Sequence, residues 1–322
     1  MQSANSSFPP PPPGIVPALT AGFNAVAAQV GVILFPIGLD VFLWLGPRLK
    51  VGQLMTPVLR ELQSLPAETA KSLDVGLVVD FWQNFNLVSL LRTFPLGIFS
   101  LMSSSMAGRS PLGARPDWEL PGFLAALGAW LAISLLGWLL GALYFSAVAR
   151  VALPGQAPIS LMRSTLYGIA FAALWAALAL ATGLPFLFLV GVLMVINTAL
   201  GLLMGLAGSL TVVWLFLPIF LSSYGIFAEG QNPFRSLWSG LRLVRYGLPA
   251  VMLFTLAALV IGQGLDFLWR IPPADSWLTL AGIFGHAFVS SGLLAASFIY
   301  YHEMNAWIES ATRWLQNSRA AI

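Results

Sequence analysis

The chain has 322 residues; only 8% are Lys, Arg, Asp or Glu, while 58% are apolar. Soluble globular chains carry roughly 25% charged residues, so this composition, with a mean hydropathy of +0.85, excludes an ordinary water-soluble globule and makes lipid the solvent for most of the chain. There is no cysteine, which removes disulfides, thiolate nucleophiles and Cys-ligated metals, and the net charge of +3 includes no basic run interleaved with aromatics that would favour nucleic acid.

The first residues, MQSANSSFPPPPPG, lack the basic region of a cleavable signal, so the helix that follows is expected to stay as an anchor. Residues 1–14 read as a disordered Pro-rich tail, with Pro9 to Pro13 forming a polyproline II rod of about 16 Å that serves as a spacer or a docking ligand.

A hydrocarbon core of about 30 Å needs about 20 helical residues. No charge precedes Asp40, and none falls in 120–149, 164–228, 246–265 or 276–302. Each run is long enough to cross. The second, 65 residues long, holds a Gly/Pro turn signal in ATGLPF at 181–186 and is read as two crossings. The expectation is an all-α polytopic membrane protein of six helices, near 15–45, 120–149, 164–184, 203–227, 247–267 and 277–302, since continuous apolar runs exclude a β-barrel. Residues 46–118 form a long loop. Within it, 75–107 is apolar but interrupted by Asp80 and Arg92, and the longest charge-free piece there, 93–108, has 16 residues, so 75–107 reads as interfacial or re-entrant.

Six crossings place both termini and the 2–3 and 4–5 connections on one side. That side carries Arg150, Arg163, Arg235, Arg242, Arg245, Arg313 and Arg319. The other side has eight cations, Arg48, Lys50, Arg60, Lys71, Arg92, Arg109, Arg115 and Arg270, but seven of them mix with acids in one long loop, where the positive-inside rule counts poorly. Both termini are therefore expected in the cytoplasm of a multi-pass cell-membrane protein, with Trp44, Trp118, Trp269 and Trp277 as an outer aromatic belt. Arg48 and Lys50, directly after the first span, argue the other way.

Gly155, Gln156 and Pro158 recur as Gly230, Gln231 and Pro233, each set followed by two apolar spans. This suggests a parallel duplication, 155–228 and 230–303, of a surface helix plus a hairpin. In the second copy Asn232 is an N-cap and Pro233 suits the first helical position. Phe234, Leu237, Trp238, Leu241 and Val244 share one face, and Arg235, Arg242 and Arg245 the rest. Such a helix lies among headgroups, where each Arg near anionic lipid contributes about 1 kcal/mol; the plainer reading is a topology anchor. Residues 304–322 read as a further amphipathic surface helix.

The stretch 140–310 resembles the helical membrane domain found fused to bacterial glycerophosphodiester phosphodiesterases, and its stand-alone relatives of unknown function. EGQNPFRSLWSGLRLVRYGLPAV (229–251) is similar to that family's acidic-Gly turn, Ser-containing amphipathic helix and re-entry into the membrane, and ASFIYYHEMNAWIES (296–310) closes the last span. The resemblance implies a six-helix membrane module without catalysis. The catalytic His-Arg pair of the family's soluble barrel is missing here, because His286 and His302 precede Ala287 and Glu303, and loop 46–118 departs from the pattern.

No HExxH, GxSxG or phosphate-binding loop occurs, and two histidines 16 residues apart do not make a metal or acid-base site. No enzyme, metal or cofactor is expected. Asp40 marks an ion path or, more plainly, pairs with Arg48 or Arg92. His286 relays protons with Asn24, Gln29 or Asn197, or is a neutral inter-helix His. Gly137/Gly141 and Gly201/Gly205 permit close helix packing, more simply within the chain than between copies. The leading expectation is a non-enzymatic module that organises membrane lipids, anionic ones included, or protein partners at the cytoplasmic face through Arg163, Arg235, Arg242 and Arg245. The alternative is a small-solute or ion transporter built around Asn24, Gln29, Asp40, Asn197 and His286.

Overall fold

The computed structural model describes residues 11–64, 74–105, 107–156 and 159–320. Pro9 and Pro10 of the polyproline rod, Lys71, Pro158 of the repeat and the last two residues of the C-terminal helix lie outside these residues. The protein is all-α. Among the described residues five helices are long and apolar enough to cross a membrane: α5 (Phe123–Ala152), α6 (Leu161–Ile196), α7 (Thr198–Glu229), α8 (Pro233–Trp269) and α9 (Thr279–Ala320). A sixth crossing is available only if a bent pair, α1 (Ile15–Ala28) and α2 (Leu34–Leu45), counts as one span.

That first span, expected to be continuous over 15–45, turns by 93°. Gln29 leaves helical geometry (φ −136°, ψ 68°) while its N–H still bonds to the Ala25 and Val26 carbonyls, and one 3₁₀ turn, Val30–Ile33, leads into α2. Pro36 falls in the first turn of α2, where a backbone N–H would have no partner anyway.

The reversal expected at 181–186 lies instead at Asn197. α6 runs through Gly183 and Pro185 without a break, as helices in lipid tolerate. Asn197 is extended (φ −156°, ψ 112°), and its side chain accepts from the Ala199 and Leu200 amides at 3.0 and 3.2 Å, capping α7. The C-terminal segment differs too. It is no separate surface helix but the continuation of α9, since no Gly or Pro interrupts 293–320 and Leu294 to Ile308 supply a long buried stripe.

The chain divides into two compact units, to both of which α5, α8 and α9 contribute. The first unit comprises 1–29, 145–260 and 291–322. Its core is aromatic: Tyr224 meets Phe298 edge-on at 5.1 Å and Phe145 at 6.4 Å, and Phe254 stacks on Tyr300 at 4.1 Å. The second unit comprises 30–144 and 261–290 and contains the long loop. Here α3 (Gly52–Gln63) and α4 (Val75–Asn84) are joined by a parallel pair of short strands, β1 (Arg48–Lys50) with β4 (Asp117–Glu119), and by the hairpin of β2 (Arg109–Ser110) and β3 (Gly113–Ala114).

Segment 75–107 contains no spanning helix. A ten-residue helix reaches about 15 Å, and after a 3₁₀ turn at Leu87–Leu91 the chain runs extended with Leu96, Ile98 and Leu101 buried. It lies against the small face of α5. A Cβ on Gly141 would stand 2.6 Å from the Gly97 amide nitrogen, and one on Gly137 2.6 Å from the Thr93 side chain, so this glycine pair serves packing within the chain. Of the expected Trp belt, Trp118 and Trp277 are exposed, but Trp44 is buried, donating to the Ala274 carbonyl at 2.6 Å and meeting Trp277 edge-on.

Gly141→Leu must push the 93–98 segment off α5. An unfolding free energy in detergent lower by about 1–3 kcal/mol is expected, with Gly128→Ala, which meets no atom within 4 Å, unchanged; equal stability of both variants would contradict this packing.

Candidate functional site

The first half of α8, residues 233–246, is the best-defined polar surface of the first unit. α7 ends at Glu229, Gly230 takes a left-handed conformation (φ +63°), and the Asn232 side chain accepts from the Arg235 amide at 2.8 Å to start α8. Gly247 (φ −122°, ψ 19°), followed by Pro249, then kinks the helix before its apolar half. The other repeat copy shares part of this: Gly155 also has a positive φ, +87°. No surface helix follows it, however. α6 begins at Leu161 and continues as a span, leaving Arg163 exposed in its first turn, 5.2 Å over the Tyr167 ring.

The face of 233–246 packed within the protein is made mostly of small residues. Ser236, Ser239, Gly240, Leu243 and Val244 are buried, whereas Phe234 is 76% and Trp238 67% exposed, with Leu241 and Tyr246 also outside. The small face allows close approach to α7. The Ser236 hydroxyl donates to the Ser222 carbonyl, and a Cβ on Gly240 would lie 2.7 Å from the Pro218 carbonyl oxygen. Toward α9, Tyr301 donates to Ser239 at 2.9 Å, and Asn305 donates to Glu229 at 3.4 Å.

The arginines divide accordingly. Arg242 is turned inward, 3.4 Å from the Asn305 Oδ1 and 3.7 Å from the Glu309 carboxylate. Arg235 and Arg245 are exposed among Phe234, Trp238, Leu241 and Tyr246, with Arg245 5.7 Å over the Tyr246 ring. Over its sequence the first unit carries seven Arg against three Glu, with no Lys or Asp. The second unit's eight cations meet nine acids. Arg48 and Lys50, which argued against the orientation, both pair with Asp117, at 2.6 and 2.9 Å.

The polar residues of the transport alternative do not converge. Asn24 and Gln29 are exposed in the first unit, and Asn197 is spent as a helix cap. His286 in the second unit pairs through Nδ1 with Asp266 at 2.7 Å, and its Nε2 is buried without a hydrogen-bond partner. Asp40, fully buried, pairs with neither Arg48 nor Arg92. It accepts from the Ser100 hydroxyl at 2.5 Å and from the Leu101 and Met102 amides at 3.1 and 2.9 Å, and so holds the extended loop segment in place. Among the described residues no three His, Asp or Glu side chains gather as metal ligands.

Comparison with protein-family models, curated proteins and solved structures finds no match in any of the three.

Asp40→Ala leaves two buried amides without acceptors. A loss of about 3 kcal/mol in detergent unfolding is expected; an unchanged unfolding midpoint would show that Asp40 does not anchor the loop. At the β1–β4 junction, burial raises the Asp117 pKa, but hydrogen bonds and charge from Arg48 and Lys50 outweigh it and hold the carboxyl below its ordinary value of 3.8. A depressed carboxylate contributes stability above its unfolded pKa and loses it as pH falls through the folded one. The accessibility of a thiol placed at Leu49 should therefore rise only below the ordinary aspartate range, and Asp117→Asn should abolish that acid step.

Proposed function

We propose that the protein is a non-enzymatic multi-pass protein of the cell membrane, both termini cytoplasmic, that gathers anionic lipid headgroups at its basic face and presents that face to protein partners. The observation that carries this reading is the outer surface of residues 233–246, where Arg235 and Arg245 stand exposed among exposed Phe234, Trp238 and Tyr246. Aromatic rings at headgroup level beside guanidiniums suit an interfacial helix. The excess of Arg in the first unit, exposed Arg163 included, supports its placement on the cytoplasmic side by the positive-inside rule. Arg242, held by Asn305 and Glu309, serves the fold instead. The resemblance of 140–310 to a helical membrane domain supports a module rather than a catalyst.

A second reading, transport of an ion or small solute, has one observation in its favour: the half-buried Asp266–His286 pair, whose His Nε2 is buried without a hydrogen-bond partner. An ionisable pair within helices of this hydropathy is costly and marks function in many membrane proteins. Proteoliposome flux abolished by His286→Gln would support it.

For the leading reading, the double variant Arg235→Gln/Arg245→Gln should lose enrichment of anionic lipid around the protein in mixed vesicles, by about 2 kcal/mol in total, while Arg242→Gln lowers thermal stability more than enrichment. Undiminished anionic enrichment in the double variant would rule the reading out.

A further inference from the structure

The first unit also contains a cavity of about 350 Å³ that the exposed helix surface does not use. Its wall is formed by Ser146, Ala149 and Arg150 of the last turns of α5, by Gln156 beyond them, by Ser164 of α6 and by Phe227 at the end of α7. Ala149 and Phe227 are each 4% exposed, so the floor is apolar and sealed. Two buried hydroxyls stand in it, Ser146 and Ser164, 3.2 Å apart. Ser164 donates to the Leu161 carbonyl at 3.1 Å, which leaves Ser146 as the donor of the pair, and an incoming oxygen would take that proton in exchange for the Ser146–Ser164 bond. Gln156, whose amide reaches the His302 ring at 3.2 Å, closes another side.

Arg150 is the only charged group in the lining, and it is exposed. Among the described residues no carboxylate lies within ion-pair distance of it. The first unit's acids are Glu229, Glu303 and Glu309. Glu229 is taken up by Gln231 and Asn305, and Glu309 faces Arg242. A sealed apolar floor, a donor hydroxyl within it and an unpaired guanidinium beside it together match an amphiphile with an anionic head. The volume is at the low end of the roughly 300–1,000 Å³ found for ligand pockets, enough for a phosphate and its glycerol but not for acyl chains.

We propose that this cavity seats the headgroup of one anionic phospholipid, with its phosphate on Arg150, a headgroup oxygen on Ser146, and the glycerol carbons against Ala149 and Phe227. The proposal rests on the reading that this basic part of the protein meets lipid headgroups, but it concerns one stoichiometric site rather than a diffuse surface.

The test is titration of the detergent-solubilised full chain with phosphatidylglycerol, counting bound lipids by native mass spectrometry. Wild type should hold one lipid at the lowest concentrations. Arg150→Gln should weaken that first lipid about tenfold or more, with Arg150→Lys falling between because it keeps the charge without the fork. Ala149→Leu, which fills the floor, should weaken it as well; if that variant does not fold, Arg150→Gln, at an exposed position, still decides. A first lipid bound equally by wild type and Arg150→Gln overturns the proposal, as does its loss in Arg235→Gln/Arg245→Gln, which would reduce the seat to a surface effect. Protection of the protein by glycerol 3-phosphate as strong as by the lipid would assign the site to a free phosphate ester and overturn the lipid assignment. If the first lipid stays in the double variant while diffuse enrichment is also unchanged, the surface reading fails and the seat stands.

Discussion

Inside a membrane, a helix gains nothing by turning its largest apolar side chains away from the solvent, because the solvent is itself hydrocarbon. Close backbone approach and hydrogen bonds between helices decide packing instead, and both favour small residues. Two close approaches in the structure follow this constraint. Helix α8 buries Ser236, Ser239 and Gly240 and leaves Phe234 and Trp238 outside, and α5 offers Gly137 and Gly141 to an extended loop segment rather than to another helix. Hydroxyls share the interior with large apolar side chains: Ser222, Ser223, Ser236 and Ser291 are fully buried, as are Leu243 and Phe298.

The same constraint sets what remains exposed for function. With the small face of residues 233–246 committed to α7 and α9, the outer face is left with large apolar side chains and two arginines, the composition of a headgroup-level surface. Arg242 illustrates the division of labour, since one turn of the same helix carries it from the outer surface into the Asn305–Glu309 contact. In the second unit the buried Asp40 side chain acts as a structural acceptor, and the loop it holds needs no spanning helix of its own.

Much of this was legible in the sequence. Charge-free runs located the long helices because lipid excludes unpaired charge, and the broken apolarity of 75–107, with Asp80 and Arg92, correctly marked a segment that contains no spanning helix. Asn232 announced the start of α8 through its capping chemistry. The rest was hidden for physical reasons. The 93° bend at Gln29 to Ile33 carries no charge and no proline at the break. The turn signal at Gly183 and Pro185 misled because a membrane helix absorbs both, while the reversal uses a lone Asn. The small face that α8 buries was not legible because periodicity records hydrophobicity, and here size decides. The partners of Asp40 and His286 lie 60 and 20 residues away in sequence, beyond any local pattern.

On the proposed orientation the arginine-rich unit meets the cytoplasmic leaflet. The absence of native cysteine makes any introduced thiol a unique reporter. Single-cysteine variants at the exposed positions Pro154 and Gln316, treated with a membrane-impermeant maleimide, should be labelled in inverted membrane vesicles and protected in intact cells. Labelling of both in intact cells would place the basic face outside and contradict the account.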